Sequence, residues 1–365
     1  MSGRQLAVSE ALDGVFRVSG KTARLVSSER FDVHSRSQER GLTHQESAQR
    51  FAGELRNASS VVIGTHLNPD GDALGSALAL AMYLDRLGKD VEVLCHHPAP
   101  RNLRFLPGVS RVRQEPREEK ADLGIMVDLE SKDRLGDVRD FILQTPRLVV
   151  IDHHVPHEEP GDLRIIDVGA SATALIITRL LLELNAEITP DMATNLLTGI
   201  VTDTGSFRFR NTTPESLSLS AILLEKGADL ARVNEEIFQR KPLASTLLLG
   251  HMLDTMRLEC NNRIAVGVLT RGDFERAMAS DEDTEGFVNE MLSIDSVEIA
   301  AILREPKPGR IRCSLRSRAE HDVATVAREF GGGGHRNAAG CTLDLEVYEA
   351  EETLVRRLRA CLASC

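Results

Sequence analysis

The chain has 365 residues, enough for two domains, and its 42% hydrophobic and 27% charged residues are the make-up of a globular protein with a sizeable core. A net charge of −11, no Trp and only 2 Tyr exclude the basic stripe and the aromatic platforms by which proteins hold long nucleic acid. Any polyanionic substrate is therefore expected to be short and held in a local basic pocket, on a surface whose surplus of Asp and Glu serves solubility first.

Residues 1–44 are polar, rich in Ser and Arg and without periodicity, and read as a mobile tail; the opening MSGRQLAVSEALDGVF has no apolar signal core. From about residue 45 to 241 strands and helices alternate. Val61-Val62-Ile63-Gly64 reads as a strand, and Leu74, Ala77, Leu78, Ala81 and Leu84 follow at helical spacing. Further strands are expected at 91–94, 123–127 and 148–151, then helices at about 172–185, 191–201, 214–226 and 230–239. That order predicts an α/β fold, a parallel sheet with helices on both faces. The segment TALIITRLLLEL is broken by Arg179, and no stretch nears the ~18 apolar residues of a membrane span. A helical connector is expected over 242–258. Residues 259–365 read as a smaller mixed α/β domain: strands at 263–269, 297–303 and 311–315, helices near 284–292, 322–330 and 347–361, and a loop at Gly331, Gly332, Gly333 and Gly334. The six cysteines, Cys95, Cys260, Cys313, Cys341, Cys361 and Cys365, are scattered without a CxxC pair, which reads as a reduced, cytoplasmic protein.

Acidic and His residues recur where elements end. His66, Asp70 and Asp72 follow the first strand, Asp128 the third, and Asp152-His153-His154 the fourth; Asp203 ends a helix. In open parallel sheets ligands bind outside the carboxyl ends of the strands. Hydrolysis of a phosphate ester at neutral pH needs a strong nucleophile and cancellation of phosphoryl charge, and two cations about 3.5–4 Å apart supply both. Asp70, Asp72, Asp128 and Asp203 carry four charges, which two divalent ions balance. Carboxylate and imidazole donors without thiolate suit Mn²⁺ best, with Mg²⁺ or Co²⁺ as alternatives. Blander readings accompany each element: Asp72 caps a helix starting at Ala73, Cys95-His96-His97 is a strand end and loop, and Asp281-Glu282-Asp283 is a solvated loop.

The series His66-x-x-x-Asp70-x-Asp72-x-x-Gly75-Ser76, Asp128, Asp152-His153-His154 and Asp203-Thr204-Gly205 resembles the DHH phosphoesterase superfamily. Gly331 to Gly334 followed by His335-Arg336-Asn337-Ala338-Ala339-Gly340, with Ser314-x-Arg316-Ser317 before it, resembles its DHHA1 substrate domain. The resemblance covers about 45–363 and is nearest the nanoRNase type. It implies a phosphoesterase that hydrolyses short oligoribonucleotides, linear dinucleotides or 3′-phosphoadenosine 5′-phosphate through a metal-bridging hydroxide. It implies that His66, Asp70 and Asp128 hold one metal and that Asp72, Asp128, His153 and Asp203 hold the other. His154 would face the scissile phosphate and Asp152 would orient the neighbouring imidazole. Arg316, Ser317, Gly331 to Gly334, His335 and Arg336 would take the far end of the substrate, the glycine N–H groups approaching a phosphate closely. Short RNA or a mononucleotide bisphosphate is the expected partner, long nucleic acid and membrane are not, and a homodimer is compatible. Two other readings are a soluble cyclic-dinucleotide phosphodiesterase and a non-catalytic nucleotide sensor; the second is disfavoured because every metal-motif residue is present.

Overall fold

The structure is a computed structural model that describes residues 43–362 apart from 130, 157–159 and 319–320, with His335 described through its backbone only. The tail expected over 1–44 lies outside the described residues except for its last two. There Thr43 caps α1 (His44–Arg56): its hydroxyl accepts from Glu46 N at 3.2 Å, and the Glu46 carboxylate accepts from Thr43 N at 2.7 Å.

Six parallel strands form the first sheet: β1 (Ser60–Gly64), β2 (Asp90–Leu94), β3 (Val112–Arg113), β4 (Leu123–Val127), β5 (Leu148–Asp152) and β6 (Leu163–Ile166). Their order is β3-β2-β1-β4-β5-β6, so the winding reverses between β1 and β4. A doubly wound sheet opens its crevice at that reversal, beyond the carboxyl ends of the two strands. The apolar strand runs are buried on both faces, as such a sheet requires. Val61, Ile63, Ile125 and Ile151 pack under α1, α2 (Gly71–Arg86), α4 (Thr173–Glu183) and α5 (Pro190–Asp203). Val62, Met126 and Val150 pack on the other face with Ile142 of α3 (Arg139–Leu143). Helices α6 (Pro214–Glu225) and α7 (Leu230–Asn234) follow in this part.

Beyond α8 (Leu243–Thr255) lies a second six-stranded sheet, built from β7 (Arg257–Glu259), β8 (Ile264–Leu269), β9 (Ile299–Lys307), β10 (Arg310–Ser317), β11 (Gly333–His335) and β12 (Ala338–Leu343). Its order is β11-β12-β10-β9-β8-β7, and only β8 and β9 run parallel. One face is covered by α8, α9 (Arg271–Ala277) and α10 (Phe287–Leu292), the other by α11 (Val323–Glu329) and α12 (Val347–Ala360). The fold is thus α/β throughout, with a parallel and a mixed sheet.

Several expectations need correction. The connector expected over 242–258 is helical only to Thr255, and its last residues enter β7. Half of the glycine run is not a loop but the edge strand β11, in register with β12 from Gly333↔Gly340 to His335↔Ala338. Asp281-Glu282-Asp283 is a 3₁₀ turn rather than a solvated loop. Asp281 lies between Arg304, at 3.0 Å, and Arg312, while the buried Asp283 accepts from Arg101 of the first part at 2.8 Å. Cys95, Cys313, Cys341 and Cys361 are free thiols, and Cys365 lies outside the described residues. No helix among the described residues is long and apolar enough to cross a membrane.

Candidate metal centre

His66 leaves the end of β1, and Asp70 is the N-cap of α2, its Oδ1 accepting from Asp72 N at 3.1 Å and Ala73 N at 3.0 Å. The cap of this helix is therefore Asp70 and not Asp72. Asp72 lies in the first turn and turns its carboxylate inward, completely buried. Asp128 follows β4 in the left-handed region, φ +60°, where a residue with a Cβ is strained. Asp152 ends β5, His153 and His154 follow it, and Asp203 closes α5.

These side chains converge. His66 Nε2 is 3.5 Å from Asp128 Oδ2 and 3.7 Å from Asp70 Oδ2. His153 Nε2 is 3.3 Å from Asp203 Oδ2, 3.5 Å from Asp128 Oδ1 and 4.0 Å from Asp72 Oδ2. Two groups of potential ligand atoms result, His66/Asp70/Asp128 and Asp72/His153/Asp203, with Asp128 lying against both; Asp128, His153 and His154 form a third group. Such gaps are wide for hydrogen bonds and narrow enough for one cation to touch a whole group.

Local hydrogen bonds set the orientation of the imidazoles. His66 Nδ1 lies 2.9 Å from Leu67 O and His153 Nδ1 lies 3.3 Å from Ala170 O. Each carbonyl can accept from its ring only through Nδ1–H, an arrangement that turns Nε2 toward the carboxylates. His153 Nε2 is buried with no hydrogen-bond partner among the described residues. A ring nitrogen ringed by carboxylate oxygens is chemically suited to a cation. His154 differs: its Nδ1 lies 2.8 Å from Asp152 Oδ1, which also accepts from His154 N at 3.1 Å.

The buried charges also perturb one another. Burial, with the charges of Asp128 and Asp70, pushes the Asp72 carboxyl well above its ordinary value. Burial and then Asp72, Asp70 and Asp128 do the same to Asp203. Burial would depress His66, but Asp128 and Asp70 raise it well above its usual range. Asp128 is buried too, yet His66 and then His153 and His154 hold its carboxyl below the usual range. In the metal-free protein the raised acids, Asp72 and Asp203, are repelled once they ionise. Their contribution is best below the unfolded carboxylate value and is lost as pH rises through their folded values. His66 acts with the same sign, stabilising below its unfolded value and losing this as pH rises through the folded one. Metal-free protein should therefore melt higher at about pH 5 than at about pH 8, and Mn²⁺ should flatten the profile. Scanning calorimetry with and without Mn²⁺ checks this.

Some residues at the site were not foreseen. Cys95-His96-His97 braces the loop that carries His66: Cys95 Sγ donates to His66 O at 3.2 Å, and His97 Nδ1 accepts from Asn68 N at 3.1 Å. Its position after β2, the neighbour of β1, was the available signal. Arg134 Nη2 lies 3.3 Å from His66 Nδ1, and Arg134 O accepts from Leu67 N at 2.7 Å. Packing is close as well. A Cβ at Gly199 would fall 2.6 Å from Asp72 Oδ1 and 2.6 Å from Ala174 Cβ. Gly199→Ala is expected to destabilise by about 1–3 kcal/mol, as overpacking does, and to weaken Mn²⁺ uptake, read by thermal melts and metal titration.

The far-end candidates lie on the second sheet. Arg316 of β10 is half-buried, and the one side-chain hydrogen bond of its guanidinium among the described residues goes to Leu315 O at 3.0 Å. Ser317 is placed otherwise than expected: it is buried, its hydroxyl donating to His321 O at 2.7 Å and accepting from Asn337 Nδ2 at 2.9 Å, so it holds two turns together. Gly331 N and Gly332 N donate to Arg328 O and Ala327 O at the end of α11, so these two N–H groups are not open to a phosphate. A Cβ at Gly332 would fall 2.1 Å from Gly340 O, which explains that glycine by close packing. Arg336 is exposed, and its carbonyl accepts from Val323 N.

Residues 60–200 match the DHH family, N-terminal domain, and residues 261–364 match the DHHA1 domain. The bifunctional oligoribonuclease and PAP phosphatase NrnA of Thermus thermophilus is 34% identical over 85% of this chain and 93% of its own length. The chain belongs to the DHH/DHHA1 phosphoesterase family. It is, with that family, a hydrolase. The Bacillus subtilis NrnA is 26% identical over 78% of this chain and 89% of its own. Among solved DHH/DHHA1-like structures, an exopolyphosphatase-related protein from Bacteroides fragilis superposes with a TM-score of 0.80 at 29% identity, covering 87% of this chain and 95% of that one. RecJ of Thermus thermophilus in complex with Mn²⁺ shares the fold, with a TM-score of 0.52 at 17% identity over 88% of this chain and 55% of that one.

Proposed function

We propose that this DHH/DHHA1 protein is a dimetal phosphoesterase of the cytoplasm, acting on short oligoribonucleotides and on 3′-phosphoadenosine 5′-phosphate. The observation that carries the metal reading is His153 Nε2, buried without a hydrogen-bond partner among the described residues and ringed by Asp72, Asp128 and Asp203. The substrate reading draws on relatives named as oligoribonuclease and PAP phosphatase, matched over nearly their whole length. His66 and Asp70 would hold one ion, Asp72, His153 and Asp203 the other, and Asp128 both. Two divalent cations, when bound, lower the pKa of a water and neutralise phosphoryl oxygens. The chain's own groups do the rest. His154, aligned by Asp152 at 2.8 Å, offers a proton to the phosphate or the departing oxygen. Arg316 grips the distal phosphate or nucleotide, and Arg336 with the stretch Gly333 to His335 borders that grip.

Exhaustive chelation should abolish hydrolysis, and Mn²⁺ should restore it better than Mg²⁺ or Co²⁺, with about two ions per chain by elemental analysis. Undiminished turnover after chelation would remove the two-metal reading. A product-resolved assay at equal enzyme should show cleavage of RNA dimers to pentamers and of the bisphosphate, and none of long RNA.

A further inference from the structure

We infer that Thr173 is a positioning residue that locks Asp72 and Asp128 into a single cradle. The inference rests on the two-metal reading above and assigns a role to a residue that holds no cation itself. Thr173 opens α4, and the N-cap before it is Ala172, which has no side-chain oxygen to satisfy the first N–H groups. Asp72 does so from another helix: its Oδ2 accepts from Thr173 N at 2.6 Å and its Oδ1 from Ala174 N at 2.8 Å. The same threonine reaches the other way, its hydroxyl donating to Asp128 Oδ1 at 3.0 Å. One residue thus fixes two carboxylates that arrive on α2 and at the end of β4.

The threonine's place in its helix makes this available. Buried threonines further along α4 and α5 return their hydroxyls to the carbonyl four residues back: Thr178 to Ala174 O, Thr194 to Pro190 O, Thr198 to Thr194 O. At the first position of a helix that carbonyl does not exist in helical register, so the hydroxyl is left to Asp128. Thr173 is completely buried, which denies it water as a substitute partner. Asp72 also accepts from Ser76 Oγ at 3.2 Å, so three of about four acceptor sites are taken and one direction remains for a cation. Asp128 sits at a strained φ of +60° and needs an outside group to hold its carboxylate in place.

Thr173→Val keeps the shape and the backbone N–H and removes the hydroxyl; Thr173→Ser keeps the hydroxyl. Mn²⁺ binding to each metal-free protein is measured by calorimetry and by the electron spin resonance of free Mn²⁺. Thr173→Val should weaken binding about 10–100-fold, the range for groups that orient metal ligands, and Thr173→Ser should bind like wild type. At saturating Mn²⁺ the Val variant should recover most of kcat, because the hydroxyl orients and does not react. Val binding Mn²⁺ as tightly as wild type, or Ser losing as much as Val, overturns the inference. Should Val not fold, Thr173→Ala carries the same comparison against Ser. Wild-type protein that takes up no Mn²⁺ would overturn the two-metal reading itself, an outcome visible before any variant is compared.

Discussion

Asp128→Asn is expected to be the most damaging single exchange among the clustered aspartates. Among the described aspartates Asp128 alone lies against both ligand groups, with Oδ2 at 3.5 Å from His66 Nε2 and Oδ1 at 3.5 Å from His153 Nε2. Asn offers one acceptor oxygen in place of two and carries no charge, so it cannot serve two cations through one side chain. With its NH₂ group turned to Oδ1's place, Asn would also face the Thr173 hydroxyl, which donates to an acceptor there. Losing one neutral donor at a transition state costs about 10²–10³ in kcat, and a shared carboxylate should cost more. The expected result is a fall of at least about 10³-fold in kcat/KM with fewer than two ions per chain. Asp70→Asn should do less, because Asp70 belongs to one group only and caps α2 by an oxygen that Asn retains. A variant at 128 that keeps two tightly held ions and most of its rate would show that the bridge lies elsewhere.

The readable part of this site consisted of residue types at element ends. Apolar runs such as Leu123–Val127 and Leu148–Asp152 announce buried parallel strands, and such strands hand the next residues to the sheet's carboxyl edge. His66, Asp128 and Asp152-His153-His154 follow from that rule. Contacts between distant segments leave no local pattern. Nothing in ASATALI shows that Thr173 meets a carboxylate 101 positions earlier, and nothing in CHH shows His97 bracing Asn68. The glycine run was ambiguous for a related reason. Gly332 is required by a carbonyl on β12, and Gly331 by a positive φ of 71° after α11, so similar letters answer different local demands. Asp281 and Asp283 were misplaced because an acidic triplet resembles solvent-exposed sequence until Arg101, Arg304 and Arg312 are brought to it by folding.

Arg316→Met should separate short-substrate recognition from the chemistry. The cation cluster handles one phosphate and does not measure how much substrate lies beyond it, so length has to be read by a group elsewhere. Arg316 is suited to that task by what it lacks: a half-buried guanidinium hydrogen-bonded only to Leu315 O among the described residues. Burial depresses it from its ordinary value; Glu285 offsets this in part, and Arg304 adds to it. A guanidinium in this setting stays charged and keeps free donors for a phosphate. Met retains the apolar stem and removes the charge. For a dinucleotide, kcat/KM should fall about ten-fold or more, since a hydrogen bond to a charged group contributes about 1.5–3 kcal/mol. Remote binding of this kind also aligns the reacting phosphate, so part of the loss should appear in kcat. Hydrolysis of bis-p-nitrophenyl phosphate, too small to extend beyond the metal cluster, should be unchanged. Thermal stability should hold or rise, because an under-partnered cation is returned to water on unfolding at no loss to the fold. Wild type and variant are compared on both substrates and by melting. Equal losses on the two substrates, or a marked drop in melting temperature, would place Arg316 in the fold or at the metal cluster, and the reading of length by the second sheet would have to be given up.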